Sequence, residues 1–323
     1  MAATPLLRLL PLGPALLAAA CGGGSPWSPG GGGDSPGRLE RLVFVPARAC
    51  VLLPETERPV DCSNPRALLV DRFEVTQEEW RAWLDGLEPA AEAHACLDFW
   101  SGNQPAHPAT GMTLGEARDF AAGEGMRLPS AREWVRIATG TRAQYFPWGR
   151  GSKESVANTL ELRLRALAPV GTFESGATPS GVYDLLGNAR EWVLDDLLPA
   201  ESRSPLRAWA MGGSFLARKR ATYWLDESVD LDGDGRSEGN TGFNAILLGS
   251  RARARDVGLR LVADAEAWLR AEAPGWGTDE ATRRRLERIG EGWGSAAIGL
   301  LEGLAAEPEA ARGLEALLRG ARR

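Results

Sequence analysis

Hydrophobic and polar positions follow regular patterns between residues 41 and 140, where short apolar runs precede helical stretches. Leu42 to Val45 is an apolar run that ends at Pro46, and residues 67–75 hold a second run. Short runs of apolar and β-branched residues bounded by turn formers are typical of buried strands. The pattern therefore predicts two short strands at the start of the folded region.

Three helices are predicted where a hydroxyl residue precedes a periodic stretch. Thr76, Thr113 and Ser130 are each followed three residues later by Glu, which is the spacing of a capping box. Apolar residues then recur at helical spacing, as they do in residues 77–87. Beyond Gly140 the periodicity gives way to short motifs, which predicts loops rather than regular elements.

Helical periodicity returns in residues 264–323. Residues 264–273 predict a helix that ends at Pro274, and residues 278–305 predict a longer one. Pro308 separates a last short helix from it. We expect this extension to pack on the preceding domain. A docking surface for a partner is the alternative, and the residues do not choose between the two.

Residues 1–20 are typical of an export signal, with one Arg, a short apolar stretch and a run of small residues before Cys21. The apolar stretch is too short to span a bilayer as a stable helix. The sequence around Cys21 resembles a bacterial lipobox, although Leu17 lies four residues before the cysteine instead of three. We expect lipidation of Cys21, with ordinary cleavage after Ala20 as the alternative.

Residues 21–40 are rich in Gly, Ser and Pro and cannot bury a core of their own. A flexible coil of about sixteen residues spans about 20–24 Å. We therefore expect a tether that holds an exported domain at a membrane, in the periplasm or on the outer surface. The alternative is a leader that stays untethered after secretion.

Export would place the remaining cysteines in an oxidising compartment, where disulfides form. Cys50 and Cys62 would close a short loop and are the expected pair. Pairing of either one with Cys96 stays open, because connectivity does not follow from spacing alone.

The composition is typical of a globular protein, with 44% hydrophobic and 25% charged residues among 323. The 37 Lys and Arg against 43 Asp and Glu give a net charge of −6, which argues against a nucleic-acid binder. His94 and His107 are the two histidines of the chain, and neither belongs to a metal-binding motif. The chain also lacks the phosphate loop of nucleotide triphosphatases.

Seven short motifs follow one another along the middle of the chain. They are Glu74-Val-Thr76, Arg127-Leu-Pro-Ser-Ala-Arg-Glu-Trp134, Phe146-Pro-Trp-Gly149, Pro169-Val-Gly-Thr-Phe173, Gly181-Val-Tyr-Asp-Leu-Leu-Gly-Asn-Ala-Arg-Glu-Trp192, Gly212-Gly-Ser-Phe215 and Val257-Gly-Leu-Arg-Leu-Val262. Together, over residues 41–263, they resemble the formylglycine-generating enzyme, or sulfatase-modifying factor, family. The resemblance implies an α+β fold related to C-type lectins, with little regular secondary structure.

Asp184 and Glu191 flank the turn pair Gly187-Asn188, which allows the backbone to fold tightly. Such a turn can direct two carboxylates and the carbonyls between them toward a hard cation. The resemblance implies a calcium site formed by Asp184, the carbonyls of Gly187 and Ala189, and Glu191. The alternative is that Asn188 and Glu191 only satisfy polar groups of the loop backbone.

Two further calcium sites are weighed on other residues. Asp230, Asp232 and Asp234 match the opening of an EF-hand loop, but the twelfth position is Thr241 instead of Glu. A solvated acidic loop explains them equally well. The family's second calcium site begins at the position of Asn158, and its acidic partner has no clear match here.

Active members of the family hold copper(I) with two cysteines shortly after the Gly-Gly-Ser motif. Those positions are Ala217 and Thr222 here, and no cysteine follows Cys96. Because copper(I) selects soft thiolates, we expect no copper and no formylglycine generation.

The sequence therefore predicts a non-catalytic, calcium-stabilised binding or scaffolding module anchored at a membrane by lipid. Its ligand in the family cleft would be an unidentified protein or small molecule. The alternative is an oxidase of the same family that works without the cysteines, with Asp226 or Glu227 as its base.

Overall fold

The computed structural model describes residues 37–47, 66–88, 91–140, 146–149, 151–194, 203–219, 245–307 and 311–323. The strands within them are β1 Leu42–Val45, β2 Leu68–Asp71, β3 Arg190–Trp192, β4 Arg207–Met211, β5 Ile246–Gly249, β6 Val257–Gly258 and β7 Val262–Asp264. The helices are α1 Gln77–Leu84, α2 Leu114–Gly123, α3 Ala131–Thr139, α4 Ala265–Glu272, α5 Glu280–Trp293, α6 Ile298–Ala305 and α7 Ala311–Ala321. This mixture of helices and small sheets confirms the α+β class.

The two predicted early strands form one antiparallel sheet with β7, in the order β1-β2-β7. Val43 lies opposite Val70, and Leu69 lies opposite Ala263. All four residues of β1 and of β2 are buried. The apolar ones enter, in alternation, two different hydrophobic clusters on the two faces of the sheet, and the Asp71 carboxylate binds Arg38. The sheet therefore lies inside the molecule, between the two parts of its core.

The second sheet has the order β5-β4-β3-β6 and carries the longest sequence motif. Strand β3 is antiparallel to β4 and parallel to β6, with Glu191 opposite Met211 on one side and Gly258 on the other. This central position fixes the residues of β3 from both sides. It places Glu191 in the interior, where it is 1% exposed.

The three predicted capping boxes are confirmed. Thr76, Thr113 and Ser130 each accept a hydrogen bond from the backbone N–H three residues on. The Glu at that position in turn accepts from the backbone of the capping residue. Helix α3 ends at Gly140, whose φ of 61° is in the left-handed region.

The C-terminal extension differs from its prediction in one respect. Helix α4 occupies the first predicted stretch, but the single helix predicted over residues 278–305 is two helices. Helix α5 ends at Gly294, where φ is 60°, and α6 begins at Ile298. Helix α5 begins at Glu280, and the Asp279 carboxylate caps it by accepting from the Thr282 N–H at 2.9 Å.

The extension packs on the domain before it, as expected. The Trp293 ring stacks on Phe44 of β1 with centroids 5.6 Å apart, and its Nε1 donates to the Leu42 carbonyl at 3.3 Å. Leu286, Leu301, Leu304, Leu314 and Leu317 belong to the same hydrophobic cluster as these strand residues. The preceding domain and the extension therefore share one core.

The export signal, Cys21, most of the tether and the Cys50–Cys62 pair lie outside the residues that the structure describes. Cys96 is buried with a free thiol, and burial raises the pKa of that thiol to about 11. No helix in the described ranges is both long and apolar enough to cross a bilayer.

Candidate functional site

The turn between Asp184 and Asn188 is built on three residues with positive φ. Gly187 has a φ of 89°, and Asp184 and Asn188 have values of 57° and 56°. Asp and Asn are the side-chain residues that best tolerate this region. A Cβ at Gly187 would lie 2.5 Å from the Asn158 carbonyl oxygen, so the close approach of these two segments requires glycine.

Asn188 joins the turn to two neighbouring segments. Its Oδ1 accepts hydrogen bonds from the Ala168 N–H at 2.9 Å and from Asn158 Nδ2 at 3.0 Å. Its Nδ2 donates to Glu74 at 2.9 Å and to the Ala168 carbonyl at 3.3 Å. Asn188 thus satisfies both backbone groups of Ala168 and also binds the side chains of Asn158 and Glu74.

Glu191 is held by side chains rather than by backbone. Its Oε1 accepts from Nε and Nη2 of Arg260 at 3.0 and 2.7 Å, and its Oε2 accepts from Trp134 Nε1 at 2.8 Å. Arg260 also donates to the carbonyls of Asp71 and Tyr183. Arg260 is fully buried, so this ion pair lies entirely in the interior. Sequence reasoning assigned Arg260 no role, although an Arg within the apolar run of its motif was a usable signal.

The buried carboxylates around the turn outnumber the buried cations. Glu74, Asp184 and Glu191 face the one guanidinium of Arg260. Burial raises the pKa of Asp184 to about 6, and burial together with repulsion from Asp184 raises the pKa of Glu74 well above its usual range. The cluster therefore carries an excess of negative charge that a proton or a cation would neutralise. Glu74 is the second residue of this cluster that sequence reasoning missed.

Some acceptor positions around the turn are not used by hydrogen bonds in the described residues. Three of the roughly four lone-pair positions of the Glu191 carboxylate are used, which leaves one on Oε2. Asp184 accepts one hydrogen bond, from the Gly171 N–H at 2.7 Å. The buried Oδ1 of Asn158 receives no hydrogen bond, since its Nδ2 is the atom that faces Asn188 and the Ala166 carbonyl.

No three His, Cys, Asp or Glu side chains within the described ranges are grouped as metal ligands, and this includes His94 and His107. A calcium site at the turn would therefore need backbone oxygens, as the predicted carbonyls of Gly187 and Ala189 would supply. The ligand set of Asp184, Gly187, Ala189 and Glu191 stays a prediction.

The segment after Gly212-Gly213-Ser214 is fixed by a separate polar cluster. The Ser214 hydroxyl donates to Asp256 at 2.7 Å, and Arg190 forms an ion pair with the same carboxylate. Three residues on, the half-buried Ala217 offers only a methyl group at the first copper position. The second copper position, Thr222, and the acidic residues Asp226, Glu227, Asp230, Asp232 and Asp234 fall in a part of the chain that the structure does not describe.

The chain matches a known family over most of its length. The family model described as "Sulfatase-modifying factor enzyme 1-like domain" matches residues 35–265. This range agrees with the extent of the seven motifs and includes the whole turn cluster.

Individual relatives cover smaller parts. Hercynine oxygenase of Mycolicibacterium thermoresistibile is 30% identical over 186 residues, which is 48% of this chain and 40% of that protein. Inactive C-alpha-formylglycine-generating enzyme 2 of Mus musculus is 28% identical over 182 residues, which is 48% of this chain and 56% of that protein. The chain thus spans about half the length of these relatives.

Among solved structures, PvdO from Pseudomonas aeruginosa has a similar fold. The likeness covers 69% of this chain and 94% of PvdO, with 18% identity and a TM-score of 0.49. At that level no conclusion about activity rests on it.

Proposed function

The chain belongs to the sulfatase-modifying factor enzyme 1-like family, as its motifs predicted. We propose its function from the family motifs that it has and from the copper-binding cysteines that it lacks. The proposal is an exported, lipid-anchored member that does not generate formylglycine. It works as a calcium-stabilised binding or scaffolding module, and its ligand occupies the family cleft.

The observation that carries the proposal is the absence of thiols where the family holds copper. Ala217 has no donor atom, and the hydroxyl of Thr222 is a hard ligand that does not replace a thiolate on copper(I). Cys96 does not substitute for them, because it is buried in the core and its raised pKa keeps it protonated near neutral pH. A mouse relative whose name includes "inactive" gives the proposal further support.

The charge excess at the turn supports calcium as the stabilising ion. When bound, calcium would supply positive charge beside Asp184 and Glu191 and tie both ends of the turn together. Without a cation, the same carboxylates face each other in a buried setting where only Arg260 offsets them. Neutralising such a cluster is worth more in the interior than at the surface, because screening by water is weak there.

A cysteine-independent oxidase is the second candidate. It is favoured by the 30% identity to a protein named hercynine oxygenase. This function would need a base in the cleft, for which Asp226 and Glu227 are the candidates. The relative's name describes its own activity, so the match supports only the possibility of oxygen chemistry on this fold.

A peptide-oxidation assay tests the proposal. The full chain is incubated with copper(I), oxygen and a peptide that carries a sulfatase-type cysteine, and the aldehyde product is followed by mass spectrometry. We expect no aldehyde from the natural sequence. The Ala217→Cys/Thr222→Cys double variant is the matched control, because it restores the missing thiols. Turnover by the natural sequence would show that the thiols are dispensable, and the non-catalytic function would have to be dropped.

A further inference from the structure

A cleft of about 270 Å³ lies where the C-terminal extension meets the first sheet. Helix α5 forms one wall, and the chain on either side of β1 and β2 forms the other. Its size is slightly below the usual range for drug-sized ligands, so it suits a small molecule or a single chemical group. Its polar lining consists of Glu40, Arg72, Ser180, Arg285 and Arg288.

The walls of the cleft are fixed by the core. Trp293, which lines the cleft, is anchored by its stacking on Phe44 and its hydrogen bond to Leu42. On the opposite wall, the Arg72 N–H donates to the Arg41 carbonyl at 2.8 Å, and the Arg72 carbonyl accepts from the Tyr183 N–H at 2.9 Å. The arginines on the two walls are therefore carried by a rigid backbone.

The cleft has more positive charge than its surroundings compensate. Glu40 is the one carboxylate in the lining, and it is bound by Arg285 at 2.5 Å. This hydrogen bond, with added attraction from Arg288, holds the pKa of Glu40 below its usual value. No carboxylate among the described residues pairs with Arg72 or Arg288.

The other arginines of α5 contrast with Arg288. Arg283 and Arg284 both pair with Glu280 one turn away, and Arg285 pairs with Glu40. Arg288 instead lies three residues from Arg285, a spacing at which like charges on a helix repel. Arg72 and Arg288 thus line a preformed cleft without an ion-pair partner among the described residues, an arrangement that an anion would stabilise.

We propose that this cleft binds a phosphate group, with Arg72 and Arg288 as its opposing ligands. A guanidinium group donates two parallel hydrogen bonds to a pair of phosphate oxygens. A terminal phosphate has three such oxygens and can accept a bidentate pair of hydrogen bonds from each of two guanidinium groups, whereas the two oxygens of a carboxylate form one such bidentate edge. Ser180 also lines the cleft, and its hydroxyl lies 3.0 Å from Thr178 Oγ1.

The phosphate belongs either to a soluble phosphomonoester or to a lipid headgroup. The headgroup source rests on the anchoring at Cys21 in the proposed function. Glu40 lies in the cleft at the end of the segment that begins at Cys21. A flexible tether of about sixteen residues has an r.m.s. length of about 20–24 Å, which would place the cleft near the membrane surface.

The test compares two glycines that both have room for a side chain, of which only one lines the cleft. An added Cβ meets no atom within 4 Å at Gly292, which lines the cleft, or at Gly303 on α6, which does not. Gly292→Glu puts a carboxylate beside Arg288, and Gly303→Glu makes the same change of charge elsewhere. Binding of glycerol phosphate and of inorganic phosphate is measured by calorimetry at low ionic strength on the full chain. We expect at least a tenfold loss of affinity in Gly292→Glu and less than a twofold change in Gly303→Glu.

The vesicle arm separates the two sources of phosphate. It uses the Cys21→Ser background, so that no lipid anchor contributes, and compares vesicles of phosphatidic acid with vesicles of phosphatidylcholine. Binding to phosphatidic acid that Gly292→Glu removes assigns the headgroup, and binding of glycerol phosphate alone assigns the soluble ligand. Equal affinities of the two glycine variants, or no binding to any probe, would overturn the phosphate site. Neither experiment requires calcium, lipidation or copper chemistry. The phosphate site can therefore fail while the proposed function, which is tested by the peptide-oxidation assay, still holds.

Discussion

The crossing of α5 and α7 provides the sharpest test of how the extension joins the domain. A Cβ at Gly290 would lie 2.0 Å from the Leu317 carbonyl oxygen and 3.0 Å from the Ala321 nitrogen. The contact is reciprocal, since a Cβ at Gly320 would lie 1.9 Å from the Glu287 carbonyl oxygen. The two helices thus meet backbone to backbone, and Gly290→Ala would force them apart.

The expected cost follows from the distances. An ordinary Cβ contact begins at 3.4 Å, so the contact that would measure 2.0 Å must open by roughly 1.4 Å. Displacements of this kind in a packed core cost about 1–3 kcal/mol. Replacing a helical Gly by Ala returns up to about 1 kcal/mol of helix propensity. Because α7 also loses core contacts at Leu317, we expect a net loss of about 1–2 kcal/mol in the free energy of unfolding.

Gly292→Ala is the matched control on the same helix. No atom lies within 4 Å of its added Cβ, so only the propensity gain remains, and we expect stabilisation by about 0.5–1 kcal/mol. Urea unfolding followed by circular dichroism measures both variants. The two changes should have opposite signs. If Gly290→Ala is as stable as Gly292→Ala, the helices do not cross at these glycines and the shared core has been wrongly described.

Two further predictions concern the ion and the anchor. Excess calcium should raise the melting temperature, since a ligand at a hundred times its Kd stabilises the folded state by about 2.7 kcal/mol. Asp184→Ala should abolish this response, and the control variant Asp98→Ala, at an exposed position, should keep it. A melting temperature that changes neither with calcium nor with chelator would rule the ion out. Mass spectrometry of membrane-extracted protein should find Cys21 as the lipid-bearing N-terminus, and an unmodified Cys21 in the soluble fraction would contradict the anchor.

Local signals predicted the parts of the fold that local chemistry determines. The three capping boxes depend on residues three positions apart, so their side chains and spacing are visible in the sequence. The end of helix α5 at Gly294 was not predicted. Apolar residues continue at helical spacing through Trp293 and Ile298, and periodicity alone does not show that one glycine between them adopts a left-handed conformation.

The candidate site was predicted only as far as its turn. Gly187 and Asn188 signalled tight backbone, and the structure places both in the left-handed region. The partners that surround the turn come from distant positions. Glu74 precedes Asn188 by 114 residues, and Arg260 follows Glu191 by 69. Local spacing rules do not relate residues that are so far apart in the chain. The sequence therefore showed the carboxylates of the turn but not the Arg260 guanidinium that compensates their charge.

Strand β3 separates two polar networks on the two faces of its sheet. Arg190 and Glu191 are neighbours on the strand, and their side chains therefore lie on opposite faces of the sheet. Glu191 binds Arg260 in the interior, whereas Arg190 binds Asp256, which also accepts from Ser214 beside the segment of Ala217. The interior ion pair uses no atom of that segment. The Glu191–Arg260 ion pair therefore does not depend on whether residue 217 carries a thiol.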